Sequence, residues 1–499
     1  MSEYILAYDF GTSGVKAALV DFQGSLLGYE EEGYPLISEA VGYAEQDPVQ
    51  YWDAVCKATK AVLVKVGVSG EEVVGMSFGT QGMGIIPVDE DGKVLYNNIT
   101  WVDSRAREQA DRMNAKAGEN IIDASDVLPK VMWLKQYRPE VYDRAKYILG
   151  CTGYLNMKAT GKMTTDYTDG QGLYANDEAV EKMFYGMYDL AELDTAKVPP
   201  LIPTGGYVGN LTEQAAEELG VTTKVEVYMG AVDVTVAAVG AACCKEGDVH
   251  LYLGTSGWIT AMIGPHYLAD TCTGIYQLPG LDINNLIYGG CVQSACLAFN
   301  WTIDNFYRKE KEELGGGVFD LIEKDLENIP PGSNGIIASP WLMGERCPIM
   351  DEKTKGVFIG VSNLTDRADL VNAMQESIGY SLRMQMDYYK NDTGKWPEKI
   401  GSIGGGSLSD HWMQMMADIM GTPVYRPANC RHSGAIGAAA IVAVGMGRVG
   451  VNEVDQFVQV ERTFEPDPER VAIYNEKYET WKKLYPALKD LFAEMADQQ

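Results

Sequence analysis

The chain has 499 residues, 46% hydrophobic and 22% charged, which excludes a disordered or fibrous protein and allows two or three domains. Its 41 Lys and Arg stand against 70 Asp and Glu, and the net charge of -29 excludes a partner such as nucleic acid or an anionic membrane surface, so an anionic ligand needs its own local site. No apolar run approaches the ~20 residues of a membrane helix, and nine cysteines without a C-x-x-C pair fit the reduced thiols of a cytoplasmic protein.

In chain order, Tyr4, Ile5, Leu6 and Tyr8 carry a predicted strand up to Asp9, where Gly11-Thr12-Ser13-Gly14 makes a tight corner. Backbone N–H groups in such a corner can converge on an anion, with the hydroxyls of Thr12 and Ser13 and the charge of Lys16 added; an ordinary hairpin turn is the other reading. Val15 to Asp21 and Ser25 to Glu31 read as hairpin strands. Asp47-Pro48 opens a helix whose Trp52, Val55, Thr59 and Leu63 keep helical spacing. Val73 to Phe78 is a strand that ends at Gln81-Gly82-Met83-Gly84, and strand ends of this kind face a ligand crevice in open α/β folds.

The next loop carries Trp101, Asp103 and Arg105. An indole face suits the C–H face of a sugar, and the acid and base either hydrogen-bond its hydroxyls or form a structural ion pair. Residues 150–177 read as a helix and then a polar loop through Asp166-Tyr167-Thr168-Asp169-Gly170. Val225 to Met229 is a strand broken by Gly230, so Asp233 falls at the start of the small apolar helix Val234 to Ala242. There the helix dipole favours the ionised carboxylate, which serves either as a cap or as a base that takes a hydroxyl proton.

A second corner, Gly254-Thr255-Ser256-Gly257, repeats the first after a similar apolar approach, which points to a duplicated fold whose two corners grip one polyphosphate. Tyr252 stands where the first copy has Asp9, so only the first corner can bring a carboxylate to a metal. Gly289-Gly290 closes a further strand, and Leu370 to Ser381 is helical. Gly404-Gly405-Gly406 before the helix with Trp412, Met415 and Met416 permits close approach of a flat ligand. Ala435 to Met446 is a buried helix, and Asp467 to Gln499 a terminal amphipathic one. His250, His266, His411 and His432 show no metal-ligand spacing, which leaves acid–base chemistry to carboxylates.

These pieces resemble the FGGY family of carbohydrate kinases, its xylulokinases above all, over nearly the whole chain. The resemblance rests on Asp9-Phe10-Gly11-Thr12-Ser13, Ala44-Glu45-Gln46-Asp47-Pro48, Trp101-Val102-Asp103-Ser104-Arg105, Gly230-Ala231-Val232-Asp233, Gly254-Thr255-Ser256-Gly257 and Gly404-Gly405-Gly406-Ser407. It implies an α/β, two-lobed actin-like ATPase fold built from ribonuclease H-like duplicated domains, with residues 1–245 and 246–499 as the lobes and a catalytic cleft between them. It further implies ATP as donor, Mg²⁺ held by Asp9, and Asp233 as base. Gly11, Thr12, Ser13, Lys16, Gly254, Thr255 and Ser256 would line the phosphates, and Gly405 and Gly406 the adenosine. Gln81, Gly82, Trp101, Asp103, Arg105 and Asp233 would face the sugar.

Two departures bear on the acceptor. Met83 stands where xylulokinases carry histidine, and Val234 where the family places Asn or Gln, so the pocket is less polar. D-xylulose, giving D-xylulose 5-phosphate, is the first expectation. D-ribulose, L-xylulose and erythritol are alternatives, and a nucleotide-switched binding protein is a reading from another class. The partner expected is a small-molecule sugar or polyol, and the oligomeric state, a homodimer included, stays open.

Overall fold

The computed structural model describes residues 3–169, 186–265 and 274–498. His266, Gly170 and the rest of the polar loop lie outside the described residues. Two mixed sheets organise the molecule. The first runs in the order Leu26–Gly33, Gly14–Asp21, Tyr4–Phe10, Val73–Thr80, Glu226–Tyr228, Tyr207–Asn210, with Ala231–Val232 also paired to Val73–Thr80. The second runs Ile275–Pro279, Leu286–Val292, Gly257–Ile263, Val249–Leu253, Ile400–Ile403, Val424–Pro427, Val460–Phe464. Apart from the extra edge strand Ile275–Pro279, both have three antiparallel strands, then two parallel steps, then an antiparallel edge. The two tetrads fall at the same hairpin of each sheet, so the duplication read from them is matched by topology.

Strand periodicity of two decides what Asp9 faces. Leu6, Tyr8 and Phe10 pack with Trp52 and Val55 of the helix Pro48–Val66. Ile5 and Ala7 pack on the other side with Ala435, Ala438 and Ala439 of the helix Ser433–Gly445. Asp9 continues this second face, as does Lys16 beside Ala18 and Val20 of the neighbouring strand. Both faces are covered, which is why the strand reads as a continuous apolar run.

The helix Asp233–Gly240 lies between the sheets. Val236 and Val239 join the core under the first sheet, while Ala237 and Ala241 meet Ile403, Tyr252 and Trp258 of the second. It crosses Ser433–Gly445 at glycines: a Cβ on Gly240 would lie 1.9 Å from Ser433 O, and one on Gly437 would lie 1.9 Å from Val236 O.

Two expectations are corrected. The tail is two helices, Pro468–Trp481 and Leu484–Asp497, with Pro486 in the first turn of the second, where its missing N–H costs nothing. Gly289 and Gly290 sit inside the strand Leu286–Val292 rather than closing it; side chains there would strike Thr260 and Cys347. Among the described residues no helix is long and apolar enough to cross a membrane.

Candidate active site

The first corner presents amides because its carbonyls are held elsewhere. Tyr34 donates its hydroxyl to Gly11 O, Gln46 Nε2 donates to Thr12 O at 2.6 Å, and Tyr34 N–H donates to Ser13 O at 3.3 Å. With three successive carbonyls drawn into the protein, the N–H groups of Thr12 and Ser13 are the ones left for an anion. Trp101 Nε1 donates to Thr12 Oγ1 at 2.9 Å, so the Thr12 hydroxyl keeps its own proton to give, and the indole is tied to the corner.

The second corner uses a different device to the same end. Gly254 O and Thr255 O accept from the start of the helix Cys296–Phe306, through Cys296 N–H at 2.8 Å and Leu297 N–H at 3.1 Å. The N–H groups of Thr255 and Ser256 take part in neither bond. The identical tetrads differ by one residue of turn: Phe10 pairs with Val15, but Leu253 pairs with Gly257. Gly254 has no room for a side chain, which would lie 2.2 Å from the Tyr252 ring.

Between the corners lie two carboxylates. Asp9 is part-buried, with Lys16 Nζ 3.8 Å away, and a Cβ on Gly434 would lie 2.8 Å from its carboxyl carbon, so the Ser433–Gly445 helix starts against it. Burial pushes Asp9 up, and Lys16 pulls it down by less. Asp233 opens its helix and its side chain is open to the cleft, accepting Val234 N–H at 2.8 Å. Loss of bulk solvation deep between the sheets raises its pKa to about 6, against that backbone hydrogen bond, and the charge of Asp9 raises it further. The helix dipole therefore does not win here, contrary to the sequence expectation. Tyr252, at the end of the second-sheet strand, has its phenol pushed to about 12 by burial and then by the charges of Asp9 and Asp233.

The remaining residues separate into cleft and wall. Gly405 has nothing within 4 Å of an added Cβ, so its backbone borders open space. Gly406 does not: a Cβ there would lie 2.8 Å from Leu253 and 3.0 Å from the Trp412 ring. Asp103 and Arg105 are a correction. Both side chains have no exposed surface, and every arm is committed, Asp103 to Ala44 N–H and Arg105, and Arg105 to Glu45 at 2.7 Å and to the Tyr43 ring at 3.8 Å. They lock residues 43–45 to the Trp101 loop and offer a sugar nothing. Gln81 is 4% exposed and its Nε2 donates to Gln46 at 2.9 Å, which ties it to the buried network behind the first corner and leaves its Oε1 without a partner among the described residues. Gly82 backs the base: a Cβ there would lie 2.8 Å from Val232. Of the six sugar-side residues Asp233 is exposed and Gly82, Trp101 and Arg105 are half-buried, and of these three Trp101 offers an aromatic face. Sequence reasoning missed Tyr34 and Gln46 as supports of the corner, although Gln46 lies in a motif it singled out.

Comparison with known proteins gives concordant findings. Residues 4–240 match the N-terminal domain of the FGGY family of carbohydrate kinases, and residues 251–446 its C-terminal domain. A xylulose kinase of Staphylococcus epidermidis is 30% identical over 505 aligned positions, covering 99% of both chains. Among solved structures, a ligand-bound xylulose kinase from Lactobacillus acidophilus superposes with a TM-score of 0.86 at 24% identity, covering 99% of this chain and 100% of that one. A gluconate kinase from the same organism gives 0.86 at 25% identity with the same coverage.

Proposed function

Because this chain belongs to the FGGY family of carbohydrate kinases, which transfer phosphate from ATP to a sugar, we propose that its acceptor is D-xylulose and its product D-xylulose 5-phosphate, with Asp233 as general base. The observation that carries this reading is the exposed carboxylate of Asp233 at a helix start, with two corners whose carbonyls are turned inward. With a pKa of about 6, Asp233 is ionised at neutral pH yet basic enough to take a hydroxyl proton as the bond to phosphorus forms. The amides of Thr12, Ser13, Thr255 and Ser256 hold phosphate oxygens, and Lys16 adds charge. Gly405 admits the flat adenosine, Gly406 keeps that turn in place, and Trp101 covers the C–H face of the sugar.

Among the described residues no group of three or more His, Cys, Asp or Glu could hold a metal alone. The part-buried Asp9 carboxylate beside the first corner suits Mg²⁺, which keeps waters and phosphate oxygens and takes as few as one or two carboxylates. Asp9 would hold the ion directly or through water, and the ion would supply positive charge to the phosphates. Residues 1–245 and 246–499 are the proposed lobes, and their closure would exclude water, the competing nucleophile. The described cysteines are all free, which supports a cytoplasmic setting.

The test is an acceptor screen with product identification, using D-xylulose, D-ribulose, L-xylulose, erythritol, glycerol and gluconate. D-xylulose should give the highest kcat/KM. A response to glycerol or gluconate alone would overturn the ketopentose reading, and ADP release that no acceptor stimulates would favour a nucleotide switch. The gluconate kinase likeness motivates that arm, but two acids on the cleft floor disfavour an anionic acceptor.

A further inference from the structure

One buried segment touches both the base and the acceptor-side loop, and the reaction scheme leaves it without a task. Asp166, Thr168 and Asp169 are 1%, 5% and 1% exposed. Asp166 Oδ1 accepts the N–H of Thr168 at 2.7 Å and also its hydroxyl proton. That orients the Thr168 oxygen to accept the N–H of Val232 at 2.9 Å, the residue immediately before Asp233. One position further, Asp169 Oδ1 accepts the N–H of Met83 at 3.0 Å.

Met83 is held from both sides. Its φ of 58° is left-handed, a conformation a methionine adopts only when its surroundings fix it. Asp169 takes its N–H, and Lys130 Nζ donates to its carbonyl; the same Nζ donates to Thr100 O at 3.1 Å, directly before Trp101. Two runs of hydrogen bonds, Val232–Thr168–Asp166 and Asp169–Met83–Lys130–Thr100, are thus joined by the peptide bond between Thr168 and Asp169.

Burying two acids and a lysine that make no ion pair among the described residues is expensive, and an apolar filler would cost less. Burial raises both Asp166 and Asp169 and lowers Lys130 to about 8. The fold makes room for this: Gly150, before the helix Cys151–Thr160, has no side chain because a Cβ would lie 1.3 Å from Asp169 Oδ2. Asp169 therefore occupies the N-terminal end of that helix, where a negative charge is favoured.

We infer that Asp166, Thr168 and Asp169, with Lys130, are positioning residues that set the separation between the base at Asp233 and the loops at Met83 and Trp101 that receive the acceptor. This rests on the reading of Asp233 as the base. Misplacement of a reacting group by about 1 Å costs on the order of 100-fold in rate, so the effect belongs in kcat.

The test uses Thr168→Val, which keeps shape and removes the hydroxyl between Asp166 and Val232. Expected are a kcat lower by about 10- to 100-fold with the KM for ATP unchanged, recovery to within about threefold in Thr168→Ser, and no further loss when Thr168→Val is added to Asp233→Ala. A Thr168→Val enzyme as fast as the parent, with Asp233→Ala inactive, overturns the positioning role alone; an active Asp233→Ala instead overturns the base. Should Thr168→Val not fold, Lys130→Gln must lower kcat at least about tenfold with the KM for ATP unchanged, and an unchanged kcat overturns the inference.

Discussion

Asp233 is governed by three influences that can be ranked. Desolvation between the sheets is the largest and raises its pKa, the Val234 N–H lowers it, and Asp9 raises it again, leaving it near 6. The sign for catalysis is direct: a base works only when unprotonated, so kcat should be flat above about pH 7 and fall about tenfold per unit below about pH 6. A profile of kcat against pH at saturating acceptor and ATP checks this. A plateau that continues down to about pH 4.5 would mean an ordinary exposed aspartate, or a different base. The identity of the acid was legible in the sequence, because a strand, a glycine and a small-residue helix surround it. Its titration was not, because desolvation depends on how the whole fold buries the group and not on its neighbours in the chain.

The helix Asp233–Gly240 is positioned by its crossing with Ser433–Gly445. The Gly437 contact is with backbone, the Val236 carbonyl, which cannot swing aside as a side chain could. Gly437→Ala should therefore lower stability by about 1 to 3 kcal/mol through overpacking and displace the base helix. Gly405→Ala is the contrast, since its Cβ meets nothing within 4 Å: thermal unfolding should be unchanged while the KM for ATP rises. Thermal melts and nucleotide KM values for the two variants check both, and a Gly437→Ala protein that melts with the parent would contradict the close crossing. At this scale the sequence was informative where a pattern is local. The cap at Asp47, the buried helix at Ala435–Ala443 and the strand before Gln81 were all readable from spacing. It was uninformative where partners are distant. Asp103 and Arg105 looked like sugar ligands because Glu45 and Tyr43, which consume them, lie some sixty residues earlier. Equal tetrads could not reveal that the second turn is one residue shorter, since that depends on the helix Cys296–Phe306 drawing back its carbonyls.

The molecule as a whole is a duplicated sheet with one crossing-over element. The repeated tetrad announced the two halves, and the matching strand orders bear out the duplicated fold expected from it. The sequence could not show that Ser433–Gly445, far along the second half, packs on the first sheet against Ile5 and Ala7. That helix reaches Asp9 at Gly434 and the base helix at Ser433 and Gly437, so one element packs against both carboxylate-bearing segments. Nucleotide contacts proposed for Thr255, Ser256 and Gly405 come from the second sheet, whereas Asp233 lies at the end of the first. Removing the base should thus separate chemistry from binding. The most direct measurement is turnover of D-xylulose by Asp233→Ala, with nucleotide affinity measured on the same preparation by calorimetry. The account predicts a kcat lower by about 10²- to 10⁴-fold with ATP affinity within about twofold of the parent. Turnover within about tenfold of the parent would contradict it.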